Sequence, residues 1–212
     1  MNLRIESYAT QAASWPQAGR HVLAQFDDDT VVVYQAYRPS IGRFTAEHGY
    51  FGGGFSLGRM SWVKPNFLWM MYRCGWASKQ GQEVVLAVAI RRTAFDQLLA
   101  AAVPSSFYRH AYATREAWQD AVAHSDVRLQ WDPDHDPHGR PVERRAIQLG
   151  LRGEVLASFA KDWIVRVDDI TPFVREQAAA LAARGPEALM TPSERRYPCV
   201  DPRPLGADPD PA

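Results

Sequence analysis

The sequence predicts an α+β domain, built on a mixed, mostly antiparallel sheet flanked by helices. Three observations lead there. Strand-like and helical runs follow one another without steady strand–helix–strand alternation. No glycine-rich nucleotide fingerprint follows a strand. No internal repeat is visible. The 212 residues suit one domain, read as residues 1–190, with a proline-rich tail at 191–212.

His21–Phe26 and Thr30–Tyr37 read as the arms of a hairpin, because Asp27-Asp28-Asp29 between them favours a turn. Pro39 suits the first turn of a short helix that Gly49 stops. Phe51-Gly-Gly-Gly-Phe55 is a loop whose glycines allow close approach to a ligand. In Lys64–Trp76, Pro65 opens a helix with Phe67, Leu68, Met71 and Tyr72 at helical spacing, and Gly75 ends it. Glu83–Ile90 is a continuous apolar strand, central and buried on both faces.

Thr93–Val103 and Thr114–His124 read as helices with threonine caps. Val127–Trp131 is a strand and Asp132–Pro141 a polar loop. Arg145–Leu151 is a strand, Glu154–Lys161 a short helix and Trp163–Val167 another strand. Thr171-Pro172 opens a last helix that stops at Gly185. From Thr191 the chain is too rich in proline to bury much.

Composition narrows the function classes. The formal net charge is zero, so no global field draws nucleic acid or membrane. Cys74 and Cys199 are too few for a disulfide framework or a zinc site, and read as reduced thiols of a cytoplasmic protein. The N-terminus has no apolar signal core, and the apolar run VVLAVAI is far short of a membrane span. A soluble, cytoplasmic protein with no membrane partner is expected.

Charge is uneven along the chain. Tyr34–Lys79 holds six basic residues (Arg38, Arg43, Arg59, Lys64, Arg73, Lys79) and one acid, Glu47. The rest holds 18 basic and 23 acidic residues, so this segment looks for an anionic partner. Arg38 ends a strand beside aromatic residues, where it can clamp a phosphate or simply snorkel over a tyrosine. Ser61 lies just before the predicted helix, where hydroxyls and backbone N–H groups meet anions. Lys64 sits at its start, against the helix dipole, as functional residues often do. Phe67–Tyr72 reads as buried core, with Arg73 reaching a cleft and Trp76 offering a stacking face. Gln148, polar on an apolar strand, needs a partner. The Asp132, Asp134, His135 and His138 cluster has metal-ligand chemistry, although its spacing fits neither a calcium loop nor a zinc pattern.

Four runs carry a resemblance: VYQAYRP (33–39), RMSWVKPNFLWMMYRCGW (59–76), WDPDH (131–135) and RAIQLGLRG (145–153). They resemble the bacterial and fungal family known as domain of unknown function 4291, over most of the chain. More distantly, the layout is similar to that of ADP-ribosyltransferases, including those that modify nucleic acids. That likeness implies a split, mostly antiparallel sheet and NAD as substrate. It implies Arg38 against the ribose and phosphates, Ser61 near the nicotinamide, and Gln148 on a ribose hydroxyl. The pattern calls for Glu where Gln148 stands, and Glu143 and Glu154 lie outside the matching position. Tyr37, Trp62 or Trp76 would stack on the nicotinamide, while Arg59, Lys64 and Arg73 would complete the cofactor-binding surface. DNA or RNA would be the acceptor.

Two other readings stay open. One is a non-catalytic module that binds a nucleotide or single-stranded nucleic acid through the same surface. The other is a metal-dependent hydrolase using the 132–138 loop.

Overall fold

A computed structural model describes residues 3–109 and 111–198. Strand β1 (Ile5–Ser7) runs into the short helix α1 (Tyr8–Ala12). The strands β2 (Gly19–Arg20) and β3 (Leu23–Ala24) lead to the long β4 (Thr30–Tyr37) and helix α2 (Pro39–His48). Past the glycine loop come β5 (Ser61–Val63), α3 (Phe67–Cys74), β6 (Val84–Arg91) and α4 (Arg92–Ala101). The short β7 (Val103–Pro104) and α5 (Arg115–His124) precede a long hairpin of β8 (Val127–His135) and β9 (Pro141–Leu151). Then follow α6 (Gly153–Lys161), β10 (Ile164–Asp169), α7 (Thr171–Arg184), β11 (Met190–Pro192) and β12 (Arg195–Arg196).

Two sheets carry the architecture. In the first, β6 lies between β4 and β10 and is antiparallel to both. Its apolar run has a direct cause: Val84, Leu86, Val88 and Ile90 enter one core, while Val85, Ala87 and Ala89 enter another. This is the two-residue period of a strand covered on both faces. Helices α4 and α6 supply Phe95, Leu98, Leu156 and Phe159 to the first core; α3 and α7 supply Phe67, Met71, Val174 and Leu181 to the second. In the second sheet, β9 pairs antiparallel with β8 and β5 and parallel with β2, while β7 runs parallel to β8. The result is mixed α/β with mostly antiparallel pairing, as expected. An isolated backbone bridge joins the two sheets. Tyr34 N donates to Lys64 O at 2.7 Å, and Lys64 N to Tyr34 O at 3.3 Å.

Several expectations change. The predicted hairpin before β4 survives only near its turn, where Asp27 Oδ1 accepts from Asp29 N and Thr30 N. Its first arm instead pairs, through β3, with β12. Helix α3 starts at Phe67, because Asn66 caps it: Asn66 Oδ1 accepts from Trp69 N at 2.7 Å. Pro65 acts on its predecessor, keeping Lys64 extended, so Lys64 belongs to the inter-sheet bridge and not to a helix. Helix α4 has no side-chain cap, and Val103 lies in a strand.

The expected polar loop at 132–141 is mostly strand. Beyond Leu129, β8 is an edge that tolerates Pro133. The turn shrinks to Asp136–Arg140, where Asp136 Oδ1 accepts from the backbone of His138 and Arg140. The start of the tail is built into the fold, with Thr191, Pro192, Glu194 and Tyr197 buried. Cys199 and the chain beyond it lie outside the described residues. Among the described residues, no helix is long and apolar enough to cross a membrane.

Candidate functional site

Where β4 and β5 approach each other, a cleft of about 710 Å³ opens. That volume suits a nucleotide-sized molecule. The end of β4 brings Gln35, Tyr37 and Arg38; β5 and its flanks bring Arg59, Ser61, Trp62 and Lys64. Arg73 projects from α3, and Gln130 and Gln148 come from β8 and β9. Of the residues expected to form a site, Arg38, Ser61, Gln148, Tyr37, Arg59, Trp62, Lys64 and Arg73 therefore line one cleft. Trp76 does not. Its backbone is left-handed (φ 53°), and its ring packs edge-on against Phe67 beside the second core.

Two glycines make room in the walls. A Cβ on Gly54, at φ 93°, would stand 3.0 Å from Arg38 Nη2. A Cβ on Gly150 would stand 2.6 Å from Met60 Sδ and 3.0 Å from the Trp62 indole. Gly54 needs glycine for its left-handed backbone, and Gly150 for the close approach of Met60 and Trp62.

The electrostatics are one-sided. Arg38, Arg59, Lys64 and Arg73 line the cleft, and among the described residues that line it there is no Asp or Glu. Lys64 is only 4% exposed. Burial, helped by repulsion from Arg73, lowers its pKa to about 8, and Asp132 acts in the opposite sense. No carboxylate of the described residues lies within ion-pair distance of it.

Behind the cations lies a hydrogen-bonded floor. Ser61 Oγ accepts from Gln35 Nε2 at 2.9 Å and lies 2.8 Å from Tyr37 OH. Ser61 is thus on a strand, not beside a helix N-terminus, and its hydroxyl is engaged by neighbouring side chains. Burial raises the Tyr37 pKa, keeping that hydroxyl protonated. Neither partner is a base, so Ser61 is not an activated nucleophile. Gln35 Nε2 also donates to Trp62 O at 3.1 Å, which leaves its buried Oε1 without a partner.

Gln130 and Gln148 face each other across the β8–β9 ladder. Their Nε2 atoms donate to the two oxygens of Asp132, at 2.8 and 2.7 Å. A carboxylate only accepts, so both amides have a fixed orientation with the carbonyl oxygen turned away from Asp132. Gln35, Gln130 and the Asp132 clamp were not among the expected site residues. The signal for them was faint: isolated polar residues on strands that alternate or run apolar.

The loop that suggested a metal is committed elsewhere. Asp134, 1% exposed, forms an ion pair with Arg144 at 2.6 Å. His135 stacks on Tyr72 and Trp69. Asp136 holds the turn, and His138 is exposed. Among the described residues, no group of three or more His, Cys, Asp or Glu is placed to hold a metal ion.

Fold and site together define a mixed α/β protein with a cationic, amide-floored cleft where two sheets meet. The chain belongs to the family described as Domain of unknown function (DUF4291), whose model matches residues 21–197. A search of curated proteins found no match.

Proposed function

We propose that the cleft binds a nucleotide through its phosphates and that the protein is an NAD-dependent ADP-ribosyltransferase-like enzyme acting on a nucleic-acid acceptor. The observation that carries this reading is the gathering of Arg38, Arg59, Lys64 and Arg73 around a cleft in which no described lining residue is a carboxylate. Such a surface favours a diphosphate, which arginine forks can bind bidentately. Bound NAD supplies a nicotinamide–ribose bond whose cleavage builds positive charge on the sugar. Arg38 and Arg59 hold the diphosphate, Trp62 offers an aromatic face, and the Gln148 carbonyl accepts from a ribose hydroxyl. Asp132, held by two glutamine amides, provides the nearby negative charge.

One observation favours a second reading. Gln148 lines the cleft at the position for which the distant resemblance calls for Glu, and among the described residues of the lining there is no carboxylate. A non-catalytic nucleotide-binding module fits that feature. Incubation with labelled NAD and DNA, RNA or protein separates the two. Under the first reading, label moves to an acceptor, NAD raises the melting temperature, and Arg38→Ala removes that rise. A melting shift without label transfer supports the module, and no shift with NAD or ADP overturns both.

A further inference from the structure

We propose that Lys64 is a reactive amine that condenses reversibly with the open-chain aldehyde of a phosphorylated sugar held in the cleft. The inference rests on the reading that the cleft binds a phosphorylated ligand, and it adds a covalent site that this reading does not require.

The geometry isolates this amine. The chain has three lysines, Lys64, Lys79 and Lys161. Lys161 is exposed on α6. The Lys79 ammonium donates to the carbonyl oxygens of Arg73 and Tyr72, at 2.9 and 3.3 Å, covering the C-terminal end of α3. Lys64 alone is buried while still lining the cleft. Among the described residues no carboxylate lies within ion-pair distance of its ammonium; the like-charged Arg73 acts on it, with Asp132 in the opposite sense. A buried ammonium is normally paired or held by hydrogen bonds. Desolvation beside a second cation is also the setting that turns lysine into a nucleophile. With the pKa lowered to about 8, on the order of a tenth of the amine is neutral at pH 7.

The electrophile follows from the surroundings. A sugar phosphate is anionic, as the arginines require, and carries a latent aldehyde. The Lys64 lone pair attacks the carbonyl carbon, a C–N bond forms, and the C=O π pair moves to oxygen. The two amine hydrogens leave with that oxygen as water, so amine and aldehyde become imine and water. No oxidant or reductant takes part.

The test uses the full chain at pH 7.5 with ribose 5-phosphate and cyanoborohydride, which traps the imine as a stable secondary amine. Peptide mapping should find Lys64 modified roughly tenfold faster than Lys79 or Lys161, as expected for a desolvated amine. Unphosphorylated ribose should react far more slowly at Lys64, and pyrophosphate should suppress the ribose 5-phosphate adduct. Lys64→Arg, with an unchanged circular dichroism spectrum, should carry no adduct at that position. Equal or faster modification of Lys79 and Lys161 overturns the proposal. Calorimetric binding of pyrophosphate with no Lys64 adduct overturns it while leaving the nucleotide reading intact. A Lys64 adduct indifferent to the sugar's phosphate, with no pyrophosphate binding, overturns both.

Discussion

Replacing Lys64 by Met should stabilise the protein at neutral pH. The methionine keeps an apolar stem of similar length and removes the buried charge. In the folded state Lys64 titrates at about 8, against an ordinary value of 10.5. The difference of 2.5 pK units corresponds to about 3 kcal/mol at 1.36 kcal/mol per unit. Its sign follows from proton counting. Between pH 8 and 10.5 the unfolded chain holds a proton that the folded chain has released, so stability rises with pH across this window. Below pH 8 both states are charged and the full cost of burial is present. Lys64→Met should therefore gain up to about 3 kcal/mol at pH 7, and the gain should fade to nothing above pH 10.5. Urea unfolding of both proteins from pH 6.5 to 11 measures the difference, and taking the difference cancels the other groups that titrate there. A gain that does not change with pH, or a destabilised variant at pH 7, would refute the reasoning. A bound anion gives the ammonium a partner, so pyrophosphate affinity should fall as pH rises through about 8.

Other consequences follow from the same structure. Arg144→Met strands Asp134 in the interior and should cost about 3–5 kcal/mol by chemical denaturation; adding Asp134→Asn should recover a large part. Gly150→Ala drives a Cβ against Met60 and Trp62. It should cost about 1–3 kcal/mol and weaken ADP binding measured by calorimetry. Burial raises the Glu194 pKa well above its usual range, against the hydrogen bond from Phe67 N. The stability this group adds is complete below about pH 4.5 and is lost as pH rises through the folded pKa. Glu194→Gln should flatten that part of the stability profile, measured by thermal melts from pH 4 upward.

Parts of the site were legible because they break a local pattern. Arg38 follows a strand and precedes a proline, and both facts are written in adjacent residues. Gln148 is polar within an apolar run. Lys64 was legible as an anomaly, but its element was not. Pro65 and Asn66 compete for the helix start, and the Asn66 cap decides it. The Asp132 clamp depends on which residue of β8 faces which residue of β9. That register is a long-range property no local window contains, so Asp132 stood out only as a member of the 132–138 Asp/His cluster. Trp76 was misplaced because two successive non-glycine residues, Trp76 and Ala77, adopt positive φ after Gly75, a conformation their side chains do not advertise. The fold class was easier, since the β6 run and the stop at Gly185 are strong local signals.

Glu194 Oε1 accepts from Phe67 N at 2.6 Å, across 127 positions of sequence. Phe67 opens α3, the helix that carries Arg73 to the cleft. During synthesis the ribosome makes every strand of the cleft's walls long before it makes Glu194. Until that residue emerges, Phe67 N in the first turn of α3 lacks its buried acceptor. The first turn of α3 is therefore completed only after residue 194 has been made, and a nascent chain stopped near residue 190 carries the strands of the cleft without that hydrogen bond.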